Sequence, residues 1–190
     1  MIDFLYQIDL AIFYFFNHTL SNSLFDKFFP FITDVKHWYI TYVILILLVI
    51  IKGKKLERIS AGFVMLLITA TDQFSSFFVK NLVGRIRPCN ELPDVNILAG
   101  CTGSFSFPSS HAVNNFAVAV FFSILFPKYK WALFTAAVLL ALSRVYVGVH
   151  YPSDIIGGAL IGSIFGFIFA KAVLLINNFF TFKTKAEYEN

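Results

Sequence analysis

From Ile155 to Ile176 the chain reads IIGGALIGSIFGFIFAKAVLLI, with Lys171 as its single charged residue. A hydrocarbon core of about 30 Å takes about 20 helical residues to cross, so a run of this kind commits the chain to the bilayer as helix. Four other apolar segments, Trp38 to Ile51, Ile59 to Val79, Ala112 to Phe126 and Trp131 to Val149, predict a polytopic, all-α membrane bundle of five transmembrane helices. The composition agrees: 58% of residues are hydrophobic, 14% are charged, and the mean hydropathy is +0.75, whereas water-soluble domains carry about a quarter charged residues. No repeat or Gly/Ser linker interrupts the chain, which predicts a single membrane-embedded domain over residues 1–190.

Residues 1–37 are apolar but broken by Asp9, Asn17, His18, Asp26 and Lys27. That pattern predicts amphipathic helices lying in the interface, with residues 2–16 a candidate sixth span. The first sixteen residues carry Asp3 and Asp9 without a basic n-region or small-residue cleavage site, unlike a removable signal peptide.

A net charge of +4 and a pI near 9.1 do not indicate nucleic acid, because the basic residues cluster at the ends of apolar runs, where they anchor helices to headgroups. Lys52, Lys54, Lys55 and Arg58, then Lys128 and Lys130, then Lys183 and Lys185 all fall on one membrane face by alternation. The positive-inside rule makes that face, and the C-terminus with it, cytoplasmic. The opposite face receives the N-terminal segment, the loop of residues 80–111 and the turn at His150.

Three polar patches meet there. KNLVGRIRP, residues 80–88, ends the second span; on a continuing helix Lys80 and Arg87 share one side two turns apart, and Pro88 stops the helix. SFSFPSSHA, residues 104–112, opens the third span, so free N–H groups and the positive dipole end gather at Ser109, Ser110 and His111. SRVYVGVHYPSD, residues 143–154, closes the fourth span and opens the fifth. Two guanidinium forks, Arg87 and Arg144, a point charge at Lys80 and a helix N-terminus describe a site for a tetrahedral phosphate dianion. A neutral imidazole attacks phosphorus, and a second protonates the departing oxygen and then activates water. Asp154, four residues after His150, is placed to hold one ring nitrogen as N–H.

Lys80 with six residues to Arg87-Pro88, Pro108-Ser109-Ser110-His111, and Ser143-Arg144 with five residues to His150 and three to Asp154 resemble the three-part signature of the type-2 phosphatidic-acid phosphatase superfamily. The resemblance covers Lys80 to Asp154 directly. It implies a metal-independent phosphatase without cofactor, with His150 as nucleophile, Asp154 as its partner and His111 as general acid. Lys80, Arg87, Ser109 and Arg144 become phosphate binders. Ser110 departs from the family's usual glycine: a position needing φ > 0 disfavours serine, whereas ordinary helical geometry accepts it, and Ser110 is taken as a backbone ligand only.

The same residues carry blander readings. His150 and Asp154 alone make an i, i+4 interfacial pair, and two histidines with a carboxylate can bind zinc, but three neighbouring cations oppose a metal. Arg85 fits no phosphate-binding position and reads as a headgroup anchor. His18 and His37 read as interfacial polar residues, and Asn17-His18-Thr19 as a chance sequon. Asp72 lies on a stripe with Ser76 and Lys80 at four-residue spacing, read either as a packing contact or as a polar floor beneath the site. Cys89 and Cys101 fall in the outer loop, where an oxidising compartment permits a disulfide.

The predicted function is hydrolysis of a lipid phosphate or pyrophosphate at the outer leaflet of a bacterial inner membrane, through a phosphohistidine. Trp38, Tyr146 and Tyr151 are expected to flank the site at headgroup level. Undecaprenyl pyrophosphate, phosphatidylglycerophosphate, lipid A phosphate and phosphatidic acid are candidate substrates, with a slight preference for the first. The alternatives are a lipid phosphotransferase and a non-enzymatic lipid-phosphate transporter or binding protein. The bilayer and the lipid are the partners; no obligate protein partner is inferred.

Overall fold

Glycines at 158, 162 and 166 recur every four residues and so form one stripe along a helix. In the computed structural model, which describes residues 2–188 and the side chains of residues 4–179, that stripe is the seam of the bundle. It lies on α9 (Pro152–Tyr188) and faces α7 (Ser110–Leu125). A Cβ on Gly162 would collide with the Val113 carbonyl oxygen, and one on Gly166 with that of Ala117. Inside a membrane, helices gain little by hiding apolar surface from lipid, and close backbone approach between small residues supplies the packing instead.

Around this seam lie α4 (Lys55–Gln73) and α8 (Lys130–Tyr146), both packed on α7, while α3 (Tyr39–Lys52) touches α4 at the periphery. Leu67, Ala117, Phe121, Leu125, Ala170 and Val173 form the core where α4, α7 and α9 meet. Leu56 and Ile59 at the start of α4 join Phe126, just beyond α7, in that cluster. The loops bearing Lys52, Lys54 and Lys128 therefore lie at one end of the bundle, and the three polar patches at the other. The side chains of Lys183 and Lys185 lie outside those described. Among the described residues, three helical stretches are long and apolar enough to cross a membrane: Val35–Lys52, Lys55–Glu91 and Pro152–Phe179. The helices α7 and α8 are shorter, at 16 and 17 residues.

The N-terminal segment packs onto protein with its polar groups. In α1 (Ile2–Tyr14) Asp9 is buried, and Asn17 in the π-helical turn after it is fully buried, where its side chain bonds Asn96 O at 2.9 Å, Tyr146 O at 2.8 Å and Asn96 N at 2.9 Å. Of the polar breaks in residues 1–37, Asp9, Asn17 and Asp26 thus mark contacts with the bundle, while His18 and Lys27 are exposed. Next in the chain, α2 (Phe25–Thr33) lies on α8, with Phe29 against Tyr146 at 4.4 Å and Asp26 accepting from the Tyr146 hydroxyl at 2.6 Å.

Two local departures set the geometry of the site end. Between Gln73 and Lys80 the helix widens into a π-helical stretch, Phe74–Val79, and the added residue per turn rotates every later side chain about the helix axis. The expected Asp72–Ser76–Lys80 stripe is thereby broken. Ser75, not Ser76, is fully buried and lies 3.5 Å from the Ser110 hydroxyl. The short α5 (Lys80–Val83) then ends at Gly84, whose φ of 64° is left-handed and is the conformation glycine adopts without penalty. Lys80 and Arg87 therefore do not share a helix. The chain turns back at Gly84, and Pro88 opens α6 (Pro88–Glu91) instead of ending the second span.

Candidate active site

His150 sits in the turn between α8 and α9. Gly148, with φ 85°, lets the chain reverse there, and both the Val149 and His150 amides donate to Arg144 O at 3.2 Å. The ring is buried and touched from both sides. Arg87 Nη1 donates to Nε2 at 3.1 Å, and Nδ1 lies 3.3 Å from Asp154 Oδ2. A guanidinium only donates, so Nε2 accepts and the ring proton rests on Nδ1, directed at the carboxylate. Burial pushes the imidazole down to about 4, against the opposing pull of Asp154, with Arg87 and Arg144 lowering it further. At neutral pH the ring is uncharged, with its lone pair on the side facing the cations.

Asp154, in the first turn of α9, is fully buried and fully satisfied. Oδ2 accepts from the Tyr151 amide at 2.9 Å and from the Ser106 hydroxyl, besides facing the imidazole; Oδ1 accepts from Arg85 Nη1 at 2.9 Å. Arg85 also reaches Asp9 Oδ2 at 2.6 Å, and its guanidinium lies 3.8 Å over the Tyr151 ring. It is an interior residue of the site and not a headgroup anchor. After Gly84 the backbone is non-helical and Arg87 is extended. Arg85 and Arg87 reach the His150–Asp154 pair together, as alternate residues of an extended segment do.

A second irregular segment supports the first. Ser106 N donates to Arg85 O at 2.7 Å, and Arg87 is held by Ser104 O at 2.8 Å and the Ser104 hydroxyl at 3.0 Å. Cys89 is bonded to Cys101, closing the loop that joins these two segments.

The other histidine faces the pocket from the first turn of α7. His111 Nε2 donates to Thr33 O at 3.3 Å, and Arg144 Nη1 donates to the Thr33 hydroxyl at 2.9 Å, so the C-terminus of α2 ties the two together. Arg144 Nε is buried without a hydrogen-bond partner among the described residues, an arrangement that costs free energy unless an acceptor reaches it. Lys80 is buried, and its charge bears on Arg87, Asp154, Arg144 and Asp72; that of His111 bears on Arg144, His150 and Lys80. Arg87 and His150 are thus in direct contact, and His111 and Arg144 are joined through Thr33. A cavity of about 690 Å³ opens to His111, Arg144 and Thr33, with Lys27, Lys36 and His37 on its outer wall.

Ser109 is the N-cap of α7. Its hydroxyl accepts from Ala112 N at 3.4 Å, while its amide donates to Asp154 O at 3.2 Å and is not free for a ligand. Ser110 comes next as the first helical residue, without positive φ, so its amide and that of His111 are the ones α7 leaves unpaired within itself. Tyr146 and Tyr151 are fully buried, donating to Asp26 and Glu91, and do not flank the site at headgroup level. Trp38 is partly buried and donates to Ile32 O at 3.0 Å. His18 is exposed beside Tyr14, and His37 lies against Phe31.

A helical membrane bundle with two histidines, a satisfied carboxylate and convergent cations at one end defines an anion-handling site of the acid–base type. The family model for the PAP2 superfamily matches residues 61–177, and the chain belongs to that superfamily. It is similar to the lipid A 4'-phosphatase of Bacteroides thetaiotaomicron, 35% identical over 178 residues, covering 89% of this chain and 78% of that one. Among solved structures it is similar to Aquifex aeolicus LpxE, with a TM-score of 0.64 and 30% identity over 85% of this chain and 94% of that one. The fold is also that of a transmembrane PAP2-type phosphatidylglycerolphosphate phosphatase from Bacillus subtilis, with a TM-score of 0.68 at 22% identity over 87% and 84% of the two chains.

Proposed function

We propose that the protein is an integral-membrane lipid phosphatase that works through a phosphohistidine on His150. The observation carrying this reading is the polarity of the imidazole: Nδ1–H faces Asp154 and the Nε2 lone pair faces Arg87. Phosphate oxygens held by Arg87, Arg144 and Lys80, with the Ser110 and His111 amides and the Ser109 hydroxyl, bring phosphorus to Nε2. The N–P bond forms as the P–O bond to the lipid breaks, His111 gives a proton to the departing oxygen, and Asp154 stabilises the charge that develops on the ring. Water then attacks phosphorus, His111 takes its proton, and inorganic phosphate leaves as Nε2 is released.

The site lies at the bundle end opposite the Lys52, Lys54, Lys55 and Lys128 cluster, which supports an extracytoplasmic active site and a cytoplasmic C-terminus. For substrate, similarity along 89% of the chain to a lipid A 4'-phosphatase ranks lipid A phosphate first, with undecaprenyl pyrophosphate, phosphatidylglycerophosphate and phosphatidic acid as comparison substrates. The test is phosphate release by purified protein over this panel with chelator present. Wild type releases phosphate and His150→Ala does not, while binding or movement of lipid that survives His150→Ala without release from wild type indicates a transporter.

A further inference from the structure

Asp9 lies on α1, far in sequence from every block of the site, yet its side chain is only 8% exposed and its carboxylate is fully engaged. Oδ1 accepts from the Ser153 amide at 2.8 Å; Oδ2 accepts from the Ser153 hydroxyl at 2.5 Å and from Arg85 Nη2 at 2.6 Å. The other arm of the same guanidinium, Nη1, reaches Ser153 Oγ at 2.5 Å and Asp154 Oδ1 at 2.9 Å. The fork thus spans two carboxylates and gives one arm to each.

That division matters because guanidinium and carboxylate prefer to pair with both arms on both oxygens. An Arg85 turned fully onto Asp154 would occupy Oδ2 as well, the oxygen that faces His150 Nδ1 and accepts from Ser106 and the Tyr151 amide. Asp9 draws one arm away, and the Tyr151 ring at 3.8 Å supports the guanidinium from one face.

Resting on the phosphatase reading, we propose that Asp9 is a positioning residue for the His150–Asp154 pair: by holding one arm of Arg85 it keeps Asp154 Oδ2 for the nucleophilic imidazole. Neither Asp9 nor Arg85 bonds the proposed phosphate ligands, so their effect falls on the chemical step and on the titration of His150. The charged or titratable groups bearing on His150 are Asp154 from α9, Arg87 from the segment before α6, Arg144 from α8 and His111 from α7. None of these is itself substituted in the variants of Asp9 or Arg85.

The experiment measures kcat, KM and the pH profile of phosphate release from one lipid phosphate for wild type, Asp9→Asn, Asp9→Glu and Arg85→Gln, with His150→Ala as the reference for the reaction itself. Removing the Asp9 charge leaves the surroundings of His150 more positive, so Asp9→Asn lowers kcat about tenfold, leaves KM within twofold and moves the acid limb to lower pH. Removing the Arg85 charge does the reverse, and Arg85→Gln moves the limb to higher pH, each shift on the order of one unit. Asp9→Glu keeps the charge and retains the wild-type limb. Acid limbs that stay put, or move the same way in both neutral variants, overturn the proposal and leave a structural ion pair only. Should Asp9→Asn fail to fold, Arg85→Gln against Asp9→Glu decides on the same readout. Phosphate release by His150→Ala contradicts the underlying reading itself, an outcome separate from the behaviour of Asp9.

Discussion

Arg87 Nη1 and His150 Nε2 are 3.1 Å apart, and the same guanidinium is braced from behind by Ser104 through its carbonyl and its hydroxyl. The arginine therefore fixes which imidazole nitrogen bears the lone pair, and brings any phosphate oxygen it binds beside that nitrogen.

An ammonium has no planar fork and cannot brace against Ser104 while facing both the ring and an anion. Arg87→Lys is expected to cost on the order of 2 kcal/mol in transition-state stabilisation, or about 30-fold in kcat/KM. Steady-state kinetics check this, and retention of wild-type kcat/KM contradicts the bracing role.

The position of His150 also makes stability depend on pH. Its pKa is pushed to about 4 in the folded protein from an ordinary 6.5, burial being the main cause. Between these values the unfolded chain binds the proton and the folded one does not, so this residue makes the folded state lose stability as pH falls from about 6.5 to about 4. Thermal unfolding in detergent across that range should show a decline that His150→Gln reduces.

Cys89 and Cys101, with a sequence separation of 12, close the loop between Arg87 and Ser104. In the chain-entropy picture a crosslink over a loop of this size contributes about 3 kcal/mol. Reductant, or Cys89→Ser with Cys101→Ser, should lower the unfolding midpoint and reduce kcat/KM, because both ends of the loop support the Arg87 guanidinium. An unchanged midpoint with and without reductant contradicts this.

The membrane character and the contact of Arg87 with the His150–Asp154 pair were legible because charges in an oily chain are costly and few. The rest was hidden by breaks in helical period. The π-helical stretch at Phe74–Val79 and the left-handed Gly84 moved Ser75 inward and took Arg87 off the helix of Lys80. Arg85 and Ser106 were missed for the same reason: Arg-x-Arg and Ser-x-Ser are period-two signals, visible only once those segments are read as non-helical. Thr33 and Asp9 act from the N-terminal segment, whose polar residues resemble those of an interfacial helix until their partners are known. The glycine stripe of α9 carries its own spacing signal, but apolar length alone is sufficient to assign that span.

That stripe leads to a paired prediction. Gly162→Ala puts a Cβ onto the Val113 carbonyl, whereas a Cβ on Gly62 of α4 meets nothing within 4 Å. The first should destabilise by about 1–3 kcal/mol as α7 and α9 are forced apart, and the second should be neutral or stabilise by up to about 1 kcal/mol through helix propensity. Unfolding midpoints of the two variants check both.

The central claim is that His150 carries the phosphoryl group. Mixing purified wild-type protein with a lipid substrate labelled in its phosphate, quenching within the first turnover and digesting the chain should yield an acid-labile, alkali-stable label on the peptide containing His150, and none in His150→Ala. An unlabelled wild-type chain that releases phosphate, together with continued release by His150→Ala, contradicts it.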